Sequence, residues 1–326
     1  MTGWVPPAGP NPPGEPPVVG WATPGDEGLG VGAAIRAGWD QTRAHLVALA
    51  AVAAIPVILA NVLLIPVWLG LADQVERIVR FMSTLDFARY RTDPDALQRE
   101  FQAVFQPSTQ FVAVSAVLTG IVVAVAIIGS AALTRATLDA ADGRPVSIER
   151  SFGAVAAHAS AIVVPAVLLG VVLAVGSAAL NLGQTTVVAA GGTAGQAAIT
   201  SLASLLGLAI WIVLIILGIR WSVVLQAILA EDLGLGAALS RSAALTAGSR
   251  VRIGLTIVAV VIVTGVLFGI VASLVALVAG LLTSSIANAF VAYAVVTAIT
   301  GLVLVPLIVS VLTVIYRDRV ASKPVA

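Results

Sequence analysis

Residues 231–252 read EDLGLGAALSRSAALTAGSRVR and separate two long apolar runs. Two acids at the start predict the N-terminal cap of a short helix, small residues follow through its middle, and Gly248 predicts its end. Arg250 and Arg252 then lead directly into uncharged apolar sequence. The stretch therefore predicts a short surface helix that precedes a membrane-spanning helix.

The composition of the whole chain is typical of a membrane protein. Hydrophobic residues make up 59 % of the 326 residues and charged residues only 10 %, with a mean hydropathy of +1.06. Roughly a quarter of the residues in a soluble domain are charged, so a soluble fold is excluded. A net charge of +1 predicts no nucleic-acid partner. With no cysteine, the sequence excludes disulfides, thiolate metal sites and a cysteine nucleophile.

Apolar runs define the predicted architecture. A helix needs about 20 apolar residues to cross a ~30 Å hydrocarbon layer. We predict an all-α, polytopic membrane domain over 28–316, with six spans at about 44–71, 110–133, 159–180, 197–219, 253–282 and 286–315. Pro56 and Pro66 lie inside the first predicted span, where we expect each to kink or break the helix, and Pro165 lies near the start of the third.

Three segments are predicted to lie outside the bilayer for reasons of composition. Residues 1–27 are rich in Pro and Gly and predict a disordered cytoplasmic tail, and residues 317–326 form a second tail. The outer loop 72–107 carries two amphipathic stripes. Such helices lie on the bilayer or pack over the bundle, and the alternative is a surface that binds a partner or lipids.

The basic residues predict the orientation. If the N-terminus is inside, the inner segments hold twelve of the 17 Lys and Arg residues and the outer segments hold five. An excess of basic residues marks the cytoplasmic side. We therefore expect a multi-pass protein of the plasma membrane with both termini in the cytoplasm.

A repeat runs through the chain. LGVGAAI at 29–35 matches LGLGAAL at 233–239, and Glu149-Arg150-Ser151 parallels the triplet around Arg241. A basic residue follows each repeat arginine by eight or nine positions, namely His45 after Arg36, His158 after Arg150 and Arg250 after Arg241. The pattern predicts three parallel helical hairpins, each preceded by a short cytoplasmic surface helix.

The run 221–254 carries a family resemblance. A predicted span ends in SVVLQAILAE, and an acid, Gly, Ala-Ala-Leu, Arg-Ser, Leu-Thr, Gly and Arg follow in order. This run resembles the membrane domain attached to some bacterial glycerophosphodiester phosphodiesterases, which also occurs in stand-alone proteins. The resemblance is looser over 135–151 and implies the six-span fold. It does not imply the enzyme, because the His-Arg-Gly motif of the catalytic barrel does not occur here.

No residue pattern predicts catalysis, a cofactor or a metal site. The two histidines, His45 and His158, occupy corresponding positions in different repeats, where anchoring at the membrane interface is the more common role. None of the predicted spans contains Asp, Glu, Lys or Arg, which argues against ion-coupled transport. We therefore expect a protein that is not an enzyme.

The candidate functional residues are packing and contact residues. Gly265, Gly269 and Ser273 recur at every fourth position and predict a helix-packing face. Asn61, between two prolines, predicts either a helix–helix hydrogen bond or a cavity lining. Candidate contacts to headgroups or a partner are Arg36, Arg150, Arg241, Ser242 and Arg250.

These observations favour a non-catalytic scaffold or accessory protein. Its partners would be membrane lipids, or a protein that binds the cytoplasmic surface helices or the loop 72–107. The alternative is a permease or lipid-handling conduit with a cavity near Asn61, Pro56 and Pro165.

Overall fold

The computed structural model describes residues 29–85, 100, 104, 108–189, 216 and 219–322, and every regular element in this part of the chain is an α-helix. The prediction of an all-α protein is confirmed. In chain order the helices are α1 (Val31–Ala44), α2 (Leu46–Ser83), α3 (Thr109–Ala141), α4 (Ile148–Ala157), α5 (Ala159–Ala189), α6 (Val224–Glu231), α7 (Leu235–Thr246), α8 (Arg250–Thr283) and α9 (Ile286–Ser322).

Five of these helices, namely α2, α3, α5, α8 and α9, are long and apolar enough to cross a membrane. They contain five of the six predicted spans. The predicted fourth span, 197–219, lies outside the described residues apart from Ile216 and Ile219. The predicted N-terminal tail and, apart from residues 100 and 104, the part 86–107 of the predicted loop 72–107 lie outside them as well.

A short helix precedes a long helix at three places. The single residue His45 separates α1 from α2, and His158 separates α4 from α5. Both histidines have nearly the same backbone conformation, with φ and ψ of −121° and 22° at His45 and −107° and 28° at His158. Between α7 and α8 the chain turns at Gly248, whose φ of +79° favours glycine.

The acidic cap predicted for the helix in 231–252 is wrong. Glu231 is the last residue of α6, and Asp232 follows in the left-handed conformation with φ of 54°. The N-cap of α7 is Gly234, which has no side chain to accept a hydrogen bond. The Asp232 carboxylate bonds the ring of His158, and the Glu231 carboxylate bonds the side chain of Arg241.

Helix α2 is longer than the first apolar run. The first apolar run ends at 71, but α2 continues through the charged sequence to Ser83, so the first stripe of the predicted loop belongs to the same helix. Pro56 and Pro66 lie inside α2 and do not break it, and Pro165 lies inside α5. Pro56 is buried where α2 meets Gly129 of α3, and a Cβ at Gly129 would overlap its ring.

The long helices pack in a defined order. α5 packs against α3, α3 against α2, α2 against α9 and α9 against α8. α3 and α5 approach each other closely at two glycines. A Cβ on Gly120 would overlap the carbonyl oxygen of Gly170, and a Cβ on Gly170 would overlap the carbonyl oxygen of Gly120. Without side chains, these glycines bring the two backbones into contact, which favours packing inside a bilayer.

The predicted packing face on α8 has no such contact among the described residues. A Cβ on Gly265 or Gly269 would meet no described atom within 4 Å, and Ser273 is exposed. Small residues at this spacing therefore do not identify the helix that packs against α8.

The buried core lies toward one end of the bundle. Fully buried side chains such as Leu49, Leu133, Ile228, Leu245 and Val314 come from long and short helices alike. Away from this core, many Val, Leu and Ile side chains of α5 and α8 are exposed. Exposed apolar surface of this extent is unfavourable in water and matches contact with lipid chains.

Candidate functional site

The short helices α1, α4, α6 and α7 gather around the end of α3 and the C-terminal part of α9. We call this region the short-helix end. Many of its polar side chains bond across helices. For example, Gln41 of α1 donates to the carbonyl of Thr137 on α3 at 2.7 Å, and the hydroxyls of Thr137 and Thr313 bond at 2.8 Å.

A buried carboxylate organises the arginines at the end of α3. Asp139 is fully buried, and its oxygens lie 3.1 Å from Arg135, 3.0 Å from Arg144 and 3.9 Å from Arg150. The nitrogen–oxygen distances to Arg135 and Arg144 are as short as hydrogen bonds, but the N–H groups are not aligned with the carboxylate oxygens. The contacts are therefore ion pairs, in which one buried negative charge faces three positive charges.

A second carboxylate joins α3 to α9. Asp142, the residue after α3, pairs with Arg144 and with Arg317 of α9. Arg317 also donates to the carbonyl of Ala141 at 3.1 Å, at the C-terminal end of α3. Since the C-terminus of a helix carries partial negative charge, an arginine here is favourable.

A third group connects α6, α7 and α9. Glu231 accepts hydrogen bonds from Nε of Arg241 at 3.0 and 3.1 Å and from the hydroxyl of Tyr316 at 2.8 Å. The side chains of Arg241 and Glu231 are only 17 % and 21 % exposed. This ion pair is therefore partly shielded from water, and it fixes α7 against α6.

His158 joins the break between α4 and α5 to the chain after α6. Its Nδ1 lies 2.8 Å from the carbonyl oxygen of Ala154 and its Nε2 lies 2.7 Å from a carboxylate oxygen of Asp232. Both oxygens accept hydrogen bonds, so both ring nitrogens donate best when the imidazole is protonated. The carbonyl of Ala154 and, more weakly, the carboxylate of Asp232 raise the pKa of His158 above its ordinary value of 6.5, although burial and the charge of Arg135 oppose them.

The five predicted contact residues fall into two groups. Arg36 and Arg250 are exposed, and Arg150 has a side chain that is 47 % exposed and lies near Asp139. Arg241 is instead engaged by Glu231, and Ser242 is fully buried and donates to the carbonyl of Arg220 at 3.1 Å. The first three side chains can reach a headgroup or partner, whereas Ser242 stabilises the fold.

Asn61 makes the helix–helix hydrogen bond that was one of its two predicted roles. Its carbonyl accepts from the hydroxyl of Thr297 on α9 at 3.2 Å, and its amide donates to the carbonyl of Val57 at 2.9 Å. Asn61 also borders a small cleft of about 210 Å³ between α2 and α9, and the other lining residues are apolar apart from the indole N–H of Trp68. The cleft offers little to bind a polar solute.

A larger cleft of about 520 Å³ lies between α8, α9 and Trp68 of α2. The Trp68 ring lies 5.4 Å from the ring of Tyr293 and 6.2 Å from that of Phe290, measured between centroids. Its Nε1 is buried without a hydrogen-bond partner. The walls are mostly apolar, with Ser273 and the serines after α8 as polar exceptions.

Sequence reasoning missed the central residue of the short-helix end, Asp139. The predicted second span ends at 133, but α3 continues to Ala141, which places Arg135 and Asp139 one helical turn apart. The i, i+4 spacing of these two charges was the available signal. In the described part of the chain, no three His, Asp or Glu side chains gather as metal ligands do.

Comparison with known proteins identifies no family for the chain. No protein family, curated protein or solved structure matches the chain.

Proposed function

We propose that the protein is a non-catalytic scaffold or accessory of the plasma membrane, whose cytoplasmic face contacts lipid headgroups or a membrane partner. In this proposal the short-helix end is the cytoplasmic face. The chain crosses the bilayer six times, as three parallel hairpins that each follow a short surface helix.

The charge distribution at the short-helix end supports this proposal most directly. Residues 29–50, 134–158, 219–255 and 312–322 contain eleven arginines and seven acids. The most buried acids, Asp139, Asp318 and Glu231, are paired inside the fold, while Arg36 and Arg250 face outward. Six arginines and four acids of these segments are exposed, so the surface left to meet the membrane keeps a net positive charge. The inner leaflet carries anionic lipids that attract basic residues.

The sixth span in this proposal is residues 197–219. Its composition predicts a membrane helix. Ile219, its last residue, lies against α8, because a Cβ on Gly254 would meet the Ile219 side chain at 2.8 Å. The resemblance of 221–254 to the membrane domain attached to glycerophosphodiester phosphodiesterases remains a prediction that agrees with six spans.

Lipid retention tests the proposed contact with headgroups. The protein is extracted from membranes that contain phosphatidylglycerol and phosphatidylethanolamine, and the lipids that stay bound are measured by native mass spectrometry. We expect enrichment of the anionic lipid, and a reduction when Arg36, Arg150 and Arg250 are all changed to Gln. Retention of both lipids in the ratio of the starting membrane would refute contact with anionic headgroups.

A lipid-handling conduit is the second candidate, favoured by the two apolar clefts that meet at Trp68. Clefts with these walls suit an acyl chain better than a polar solute. A conduit would accelerate transfer of a fluorescent phospholipid between the leaflets of liposomes, and Ala276→Trp in the larger cleft would abolish that transfer. A scaffold would leave the transfer rate of protein-free liposomes unchanged.

A further inference from the structure

A basic cleft of about 870 Å³ opens at the short-helix end where α8 begins. Arg250 and Arg252 of α8 and Arg319 of α9 contribute three guanidinium groups to its wall. Apolar side chains such as Val31 and Leu255 line the rest, and no carboxylate of the described chain lines it. The three arginines come from two helices, so the tertiary fold assembles this positive charge.

The start of α8 adds backbone donors to the same cleft. Ser249, Arg250, Val251 and Arg252 all line it, and they are the N-cap and first residues of a 34-residue helix. The N–H groups of a first helical turn have no partner within the helix, and they carry partial positive charge. The Ser249 side chain does not cap them. The N–H groups at the start of a helix favour a bound anion.

Arg319 gives an independent indication of a ligand. It is only 6 % exposed, and its Nε is buried without a hydrogen bond. The nearby carboxylate of Asp318 lies 3.6 Å from this nitrogen, too far for a hydrogen bond, and it accepts from the backbone N–H of Leu29 at 3.2 and 3.3 Å. A buried guanidinium that is not fully paired is costly, and an anion in the cleft would remove that cost.

We propose that this cleft binds a phosphate group, carried by a lipid headgroup or present as free phosphate. Phosphate offers several oxygen acceptors, and the planar fork of arginine binds two of them at once. The cleft is larger than one phosphate ion, which leaves room for the glycerol part of a headgroup. The inference rests on the proposed function, because it makes one cleft the specific part of a surface that contacts headgroups.

Two probes separate the sources of phosphate. Inorganic phosphate is titrated into the full chain in maltoside micelles at constant ionic strength, with chloride as the balancing anion. Nanodiscs of phosphatidylcholine, with or without phosphatidic acid, supply the lipid. Thermal unfolding, followed by tryptophan fluorescence, measures the stabilisation by each probe. Arg250→Gln tests the cleft, and Arg43→Gln removes another exposed arginine of the short-helix end that does not line it.

We expect at least one probe to raise the unfolding midpoint, with an apparent affinity about fivefold weaker in Arg250→Gln and unchanged in Arg43→Gln. Stabilisation by phosphatidic acid alone identifies the headgroup as the source, and equal stabilisation by inorganic phosphate identifies the free ion. Arg319→Lys, which keeps the buried charge but loses the fork, should weaken binding in the same direction.

Two results would overturn the proposal. Equal weakening by Arg250→Gln and Arg43→Gln would show that only the overall charge of the face matters, and the proposed contact with headgroups would still stand. No stabilisation of the unchanged protein by either probe would eliminate the phosphate site. Conversely, stabilisation by inorganic phosphate that depends on Arg250, without enrichment of anionic lipid, would retain the site and refute the headgroup role.

Discussion

Replacing Asp139 with asparagine removes the one fully buried negative charge among three arginines at the short-helix end. Arg135 and Arg144 lie 3.1 and 3.0 Å from this carboxylate, and Arg150 lies at 3.9 Å. Asparagine keeps the size of the side chain, so the change tests charge rather than packing. Without the carboxylate, the arginines repel one another and lose their shared partner.

The partial exposure of the arginines sets the expected loss of stability. Removing one member of a buried ion pair typically costs ~3–5 kcal/mol. The side chains of Arg135, Arg144 and Arg150 are 23 %, 48 % and 47 % exposed, so water solvates part of each freed charge. We therefore expect Asp139→Asn to lower the free energy of unfolding by about 2–3 kcal/mol.

Asp73→Asn is the matched control on α2. Asp73 pairs with Arg77 at 3.3 Å in the same i, i+4 relation that joins Asp139 to Arg135, but the Asp73 side chain is 69 % exposed. Its loss should cost about 0.5 kcal/mol or less. Unfolding is measured by titrating SDS into maltoside micelles and following helix content by circular dichroism. An equal shift for both variants would refute the organising role of the buried carboxylate.

Three further predictions test local features of the fold. Because the pKa of His158 is raised in the folded protein, its pairing stabilises the fold fully below pH 6.5, and this contribution is lost as pH rises through the higher folded value. The stability difference between the unchanged protein and His158→Gln should therefore shrink as pH rises above 6.5, and a constant difference would contradict the pairing. Gly120→Ala should destabilise the contact between α3 and α5 by ~1–3 kcal/mol. Gly176→Ala on α5, where a Cβ meets no described atom, should be neutral or slightly stabilising. The same SDS titration measures the stability of both variants. A cysteine introduced at exposed Ser83 should react with an impermeant maleimide from outside the cell and one at exposed Ser240 should not; the opposite labelling would reverse the proposed orientation.

Helix type was predictable, but helix length was not. The apolar run of the first span ends where the hydrocarbon layer would end, and composition therefore places a boundary at 71. Backbone hydrogen bonding does not depend on the bilayer, however, and α2 continues through charged residues to Ser83. The same reason explains why α3 extends to Ala141 and brings Asp139 into the fold.

The roles of small and polar residues depended on what lies opposite them. Gly265 and Gly269 have the spacing of a packing face, yet the close glycine contact described in the structure is between Gly120 and Gly170. Spacing shows that a helix can approach another closely, but not which helix does. Ser242 looked like a surface residue beside Arg241, but it is buried, and its hydroxyl donates to the carbonyl of Arg220.

The sequence by itself determined the membrane class, the helical content and the short helices that precede α2, α5 and α8, because hydrophobicity and helix periodicity act over neighbouring residues. Only the tertiary structure decided which charges meet. Asp142 pairs with Arg317, Glu231 with Tyr316, and the cleft at the start of α8 includes Arg319. These contacts join different helices, many of them distant in sequence, and a charge finds its partner only after packing has placed both helices at the same end of the bundle.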